Sequence, residues 1–163
     1  MKIRNAGRSI SKGAELSLKI VPSEAALVYL TYGYTHATFH SYRYSEEIDY
    51  SGNYLPFVPR HTLTVGAEQR FELRSPVSDR LLLHVSYTGM GERYWNEDNR
   101  VRQSFYGLLN ASVAIEKGSL RVTLWGKNIL NERQLGYYFE SAGRSLGKPG
   151  KPFTTGVTID YSF

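Results

Sequence analysis

Cysteine is absent from all 163 residues, which excludes a disulfide scaffold, a zinc–thiolate site and a thiol nucleophile. No apolar run comes near the roughly 18 residues of a transmembrane helix. Net charge is only +5, from 20 Lys and Arg against 15 Asp and Glu. Those cations are scattered, so the sequence does not indicate a nucleic-acid patch. The opening Met-Lys-Ile-Arg-Asn-Ala-Gly-Arg-Ser-Ile has no apolar core, and no signal peptide is expected in it. Helical periodicity is scarce. With 41% hydrophobic and 21% charged residues, the chain is expected to be ordered all the same.

Tyrosine is abundant, with 13 Tyr against 7 Phe and 2 Trp. Rings with one wet end suit interfaces. Strict alternation of apolar and polar residues, the mark of a strand with one greasy face, recurs along the chain. It covers Ala14 to Ile20, Val28 to Thr35, Leu63 to Glu68, Leu81 to Thr88, Leu109 to Glu116, Leu120 to Trp125 and Gly156 to Phe163. Seven strands are predicted, most of about ten residues, close to the ~9–11 that cross a bilayer at a tilt. An ordinary soluble strand has ~5–6.

The connections alternate in length. Short turns are predicted at Pro22-Ser23-Glu24, at Arg74 to Ser78 and at Lys117-Gly118; long ones run from His40 to Pro59, Glu92 to Arg102 and Asn131 to Pro152. Up-and-down outer-membrane barrels have this asymmetry, with tight periplasmic turns and long outer loops. An odd strand count cannot close with antiparallel pairing throughout. Either an eighth strand is hidden, or the chain is part of a larger barrel.

A soluble sheet also alternates, so further features weigh in. One face carries Glu15, Lys19, Glu68, Arg70, Arg121, Lys127 and Asp160, which suits an aqueous lumen without excluding a solvated sheet. The chain ends on Phe163, with Tyr161, Ile159 and Val157 at every second position behind it. Such a strand resembles the C-terminal signal read by the outer-membrane barrel-assembly machinery.

Specific segments resemble TonB-dependent outer-membrane receptors. Asn5-Ala6-Gly7-Arg8-Ser9 followed by Gly13-Ala14-Glu15-Leu16 is similar to one of their strands, and Tyr32 to Phe39 to the next upward strand. Gly52-Asn53, Leu55-Pro56 and Val58 to Thr62 resemble the exit from a large outer loop. Tyr106 to Ala111 and Leu124 to Asn131 are similar to the closing hairpin with its G-x-N-L element. Gly150-Lys151-Pro152 and Gly156-Val157-Thr158 resemble the final strand. The resemblance implies an all-β fold: an antiparallel up-and-down meander of about seven long strands, the C-terminal portion of a transmembrane β-barrel. It implies that residues 1–163 are the last third of a 22-stranded barrel whose plug, TonB-contacting box and earlier strands are absent. The implied partners are outer-membrane lipid, the missing barrel and plug, the assembly machinery, and the TonB complex only through that plug. The implied location is the cell outer membrane, and the implied cargo an iron–siderophore complex, cobalamin or a glycan.

Ligand contacts are expected on the outer loops. Tyr42, Tyr44, Tyr50 and Tyr54 surround the acidic Glu46, Glu47 and Asp49; Trp95 and Asn96 stand at a polar tip; Tyr137 and Tyr138 lie in the last loop. Functional residues gather on loops. The bland alternative for the first cluster is a solvated loop ordered by tyrosine packing. Tyr32, Tyr34, Tyr87 and Tyr161 read better as interfacial girdle rings. His36 and His40 share a strand face but lie roughly 13 Å apart, so no metal site is expected. Gly143, Gly147 and Gly150 with Arg144, Lys148 and Lys151 lack the spacing of a phosphate loop and read as flexible chain. No nucleophile elbow occurs; an enzyme and a cofactor are not expected. Two other functions remain open: an independent small outer-membrane barrel or adhesin, and a soluble β-barrel binding a small ligand or nucleic acid through exposed rings.

Overall fold

The structure, a computed structural model, describes residues 7–73, 75–141 and 143–163. Asn5 and Ala6 of the first resemblance segment, and Arg74 of the second short turn, lie outside the described residues. Eleven strands follow in order: β1 (Arg8–Ser23), β2 (Ala26–Ser41), β3 (His61–Glu72), β4 (Arg80–Met90), β5 (Arg93–Tyr94), β6 (Arg102–Gln103), β7 (Tyr106–Lys117), β8 (Leu120–Lys127), β9 (Leu135–Ser141), β10 (Arg144–Pro149) and β11 (Thr154–Tyr161). Seven of them form one antiparallel sheet in the order β1-β2-β3-β4-β7-β8-β11. The other four make two small ladders, β5 with β6 and β9 with β10, inside connections whose sequence shows no alternation and predicts loops.

Register explains the alternation. Directly paired residues share a face. One row runs through Leu30, Val65, Tyr87 and Leu109, and the next through Val28, Ala67, Val85 and Ala111. Nearer the short turns come Leu83, Val113, Leu124 and Val157, then Leu81, Ile115, Val122 and Ile159. This face is apolar across the sheet, and no element among the described residues covers it. Leu16 and Leu124 are each 57% exposed, and Ile159 is 68% exposed. The buried apolar residues lie elsewhere: Ala37, Phe39 and Ala114 on the opposite face, Trp95 and Tyr138 in the long connections. Among the described residues there is no second layer against which the greasy face packs.

The opposite face is polar. Register places Glu15, Lys19, Glu68, Arg70, Arg121, Lys127 and Asp160 all on it. Gly66 lies in the row of Lys19, Tyr29, Ser86 and Asn110. The Tyr29 ring lies where a Cβ of residue 66 would stand, and its hydroxyl reaches His84 Nε2 at 3.1 Å. A glycine there lets one ring cover bare backbone.

The short turns gather at one sheet end and the long connections at the other. The β7–β8 turn is Gly118-Ser119, one residue later than predicted, because Gly118 takes the positive φ of 54°. Pro22 falls inside β1, next to a register shift between Ile20 and Ser23; an edge strand tolerates its missing N–H. Asp79 joins two turns: its carboxylate accepts from Lys117 Nζ at 2.8 Å and from the Gly118 N–H at 2.9 Å. Lysine and backbone donors hold that carboxyl below its usual value. Tyr32 and Tyr34 ring His61 at the long-connection end, and Tyr161 meets Phe163 at the other. Tyr87 sits deeper than a girdle position, with its ring lying over Gly107.

No eighth strand joins the sheet among the described residues. The sheet is open, and β1 and β11 each have one unpaired edge. Val85→Arg, on the apolar face midway along β4, is expected to cost about 2–4 kcal/mol of stability in lipid vesicles. Ser86→Arg, its neighbour on the polar face, is expected to cost far less. Urea unfolding of both vesicle-inserted variants checks the contrast.

Candidate ligand-binding loop cluster

Three connections, residues 42–60, 91–105 and 128–153, fold together above the sheet. The first begins as a continuation of β2. Phe39 N–H donates to Asn53 O at 2.9 Å, and Gly52 N–H returns to Phe39 O at 2.8 Å, with Gly52 at a φ of 87°. Tyr42 packs on Phe39 and Tyr50, and Tyr44 packs on Tyr50. Asp49 caps the turn, accepting from Ser51 N–H at 2.9 Å and Ser51 Oγ at 2.5 Å. These hydrogen bonds pull its carboxyl below the usual 3.8. Tyrosine packing orders this loop around the Asp49 turn.

The second connection is clamped to the first by Asn99, which holds a φ of 57°. Its Oδ1 accepts from Tyr54 N–H at 2.7 Å, and its Nδ2 donates to Tyr54 O at 2.9 Å. Asn53 Nδ2 donates to Glu97 O at 2.8 Å. Below this clamp Phe57 N–H meets Tyr94 O, and Arg60 N–H meets Glu92 O. The Tyr54 and Tyr94 rings stack at 5.7 Å, and the Arg60 guanidinium lies 4.8 Å from the Tyr54 centroid.

The third connection closes from the far side. Phe57 stacks on Tyr137 at 5.9 Å and meets Trp95 edge-on at 5.6 Å. Arg93 lies 4.3 Å over Trp95 and donates to Leu135 O at 3.3 Å. The β9–β10 hairpin turns at Gly143, whose φ is 72°, and Gly147 lies within β10. The expectation of a flexible glycine-rich segment is thus corrected: main-chain pairing from Leu135 to Pro149 orders it. Asn128, 4% exposed and at a φ of 50°, knots both ends of this connection. Its Nδ2 donates to Glu132 O and Lys151 O at 3.0 Å each, and its Oδ1 accepts from Glu132 N–H at 2.8 Å.

The structure brings most of the anticipated residues to one end of the sheet, but divides them. Trp95 and Tyr138 are buried, Trp95 between Phe57 and Arg93 and Tyr138 on its own hairpin, where its hydroxyl bonds to Glu140 and Ser145. Tyr42, Tyr50 and Tyr54 are half-buried supports. Asn96 spends its Oδ1 on Val101 N–H and its carbonyl on Asn99. Tyr44 and Tyr137, about half exposed at 54% and 49%, present ring area outward. Val157, Ile159, Tyr161 and Phe163 lie exposed on the edge strand and its end. His36 stands edge-on to Tyr54. Asn99 belongs to the polar tip expected from the sequence, together with Trp95, Asn96, Glu97 and Asp98, but its role is to clamp Tyr54; Asn128, Arg60 and Arg93 carry no sequence signal of a site. What an asparagine between two polar stretches does signal is a turn, since it tolerates left-handed backbone and bonds to it.

The cluster offers aromatic faces beside guanidinium donors. Arg60 Nε, Arg93 Nε and Trp95 Nε1 are buried without partners. Those three atoms are enclosed, and among the anticipated residues the outward ring area is that of Tyr44 and Tyr137. The phenols of Tyr42, Tyr50 and Tyr94 are held in their neutral form. Burial first, then Glu97, raises the Tyr42 pKa; burial, then Asp98 and Glu97, raises that of Tyr50; burial, then Glu92, raises that of Tyr94.

A family model described as TonB dependent receptor-like, beta-barrel, matches residues 1–129. Among solved structures, the chain is similar to the ferric yersiniabactin uptake receptor FyuA from Yersinia pestis, at 20% identity and a TM-score of 0.86, over 98% of this chain and 24% of that one. It is similar to the siderophore receptor PiuA from Acinetobacter baumannii, at 15% identity and a TM-score of 0.75, over 96% of this chain and 22% of that one. BauA, the ferric preacinetobactin receptor of the same organism, matches at 17% identity and a TM-score of 0.72, over 98% of this chain and 23% of that one. At these identities the likeness concerns the fold. The chain spans about a quarter of the length of these receptors.

Asn128→Ala is expected to cost about 1–3 kcal/mol and to speed amide exchange at Glu132. Asn128→Gly, which relieves the backbone but restores no hydrogen bond, should exchange as fast. The Asp49 cap is expected to follow pH. Its folded carboxyl titrates below 3.8, so its contribution is complete above that value and is lost as pH falls through the lower folded value. Exchange at Ser51 should accelerate only in that acid range, and Asp49→Asn should abolish the dependence.

Proposed function

The chain belongs to the TonB-dependent receptor β-barrel family, and from that premise we propose that residues 1–163 are the C-terminal part of an outer-membrane receptor that imports a nutrient. Proteins of this family are outer-membrane β-barrels, and the chain has their all-β, antiparallel architecture. The observation that carries the reading is the apolar face. Across seven strands it stays exposed, with no cover from the described residues. Lipid is the solvent in which such a face is stable, provided that the backbone is satisfied by closure. The polar face then looks into the lumen, where a plug would sit. The open, odd-stranded sheet supports a share of a larger barrel over a free-standing small one.

The proposed cargo is a metal chelate of the ferric-siderophore kind. The reading draws on the aromatic surface of the loop cluster and on the receptors with which the fold is shared, which the names of FyuA and BauA tie to ferric siderophores. Tyr44 and Tyr137 would contact it, while Tyr42, Tyr50, Tyr54, Trp95, Asn96 and Tyr138 hold the surface in shape. Energy would arrive from the TonB complex through the plug. The strand ending in Val157, Ile159, Tyr161 and Phe163 would be the element that the assembly machinery reads.

In the intact receptor, Tyr44→Ala combined with Tyr137→Ala is expected to weaken ferric-siderophore binding about tenfold without changing the amount of protein in the outer membrane. Fluorescence titration measures the first and fractionation the second; an unchanged Kd would place the contacts elsewhere. Deleting Phe163 is expected to do the opposite, lowering the membrane level while any assembled receptor binds normally. An undiminished level would remove the role given to that terminus.

A further inference from the structure

At the short-turn end the polar face carries a row of charges of alternating sign. Register sets Glu72 opposite Arg80, Arg80 opposite Glu116, Glu116 opposite Arg121, and Arg121 opposite Asp160. Five neighbouring strands each give one residue. Arg80 bridges Glu72 and Glu116, at 3.3 Å to each. Glu116, its side chain only 13% exposed, is held between Arg80 and Arg121; Arg121 Nε donates to its Oε1 at 2.6 Å. Arg121 is thereby turned toward Glu116. Asp160 is left at the end of the row with no ion pair among the described residues, on the strand whose far edge is unpaired.

Opposite charges directly across a strand pair stabilise it, and like charges destabilise it. A strand that added to the free edge of β11 would place one residue directly across from Asp160, on the polar face. We propose that this edge selects its neighbour by charge: the strand that completes β11 carries a lysine or arginine facing Asp160, continuing the alternation by one step. The proposal rests on the barrel reading above, in which the occupant is another strand of the same receptor. Asp160 then acts as a register key for closure. A slip by one residue would turn the partner's cation toward lipid and an apolar residue toward Asp160.

The test uses the whole chain in detergent micelles and two synthetic peptides of about ten residues, alternating valine with threonine. They differ only in a lysine or a glutamate at the threonine position that faces Asp160. The lysine peptide is expected to bind the unmodified chain about three- to tenfold more tightly. Asp160→Lys should reverse the preference, and Asp160→Asn should remove it. Equal affinity for the unmodified chain, a preference that survives in Asp160→Lys, or binding of neither peptide would each overturn the proposal. The barrel reading has its own readout. Because the chain has no cysteine, Leu124→Cys takes a single environment-sensitive label. A label in detergent beside failed charge selection rejects the register key alone; a label in water rejects the barrel.

Discussion

Lipid contact on one side and water on the other is the constraint from which the rest follows. A backbone that runs through hydrocarbon must bond to its neighbours along its whole length, so the spanning segments become long strands in unbroken register. That register in turn sorts side chains by parity. It sends Leu30, Val65, Tyr87 and Leu109 outward together and keeps every charged residue of the strand interiors named above on the other face. The usual measure of a soluble fold, a buried apolar core, is nearly empty here. Among the described residues five hydrophobic side chains are buried, and none of them lies beneath the apolar face. Stability in such a molecule is borrowed from the bilayer and from strands on either side.

The two ends of the sheet answer different demands. At the short turns the polar face is neutralised locally by the row from Glu72 to Arg121 and by Asp79, whose single carboxylate ties the β3–β4 turn to the β7–β8 turn. At the long connections the chain must build a platform without a core beneath it. It does so with stacked rings around Phe57 and Trp95 and with asparagine side chains that stand in for backbone partners. The proposed binding surface is thus made of irregular chain held on a regular support, the arrangement in which specificity can vary without disturbing the scaffold.

The main sheet was legible because a period of two is written directly into residues such as Ala14, Leu16, Leu18 and Ile20, and their partners repeat it. Loop order was legible from Pro and Gly positions. What escaped was structure without a period. Two-residue β5 and β6 leave no alternation to detect, and β9–β10 hides it under Gly147 and Tyr138. The roles of the loop rings escaped for another reason. Trp95 and Tyr137 are similar as residues in a polar stretch, and only the fold decides that one is walled in by Phe57 and Arg93 while the other keeps half its surface outside. Asn99 and Asn128 were invisible as a pair because each bonds to chain far from itself, at Tyr54 and Lys151.

The paired hydrogen bonds between Asn99 and the Tyr54 backbone have a kinetic meaning. Two connections riveted at that height cannot swing apart separately, so a guest meets a rigid jaw rather than two drifting arms. The freedom that docking would otherwise take away has already been surrendered during folding. Recognition at this rim would then be fast and lock-like, since the third connection, fastened at its roots by Asn128, is also tied to the other two through Tyr137 on Phe57 and Leu135 O on Arg93.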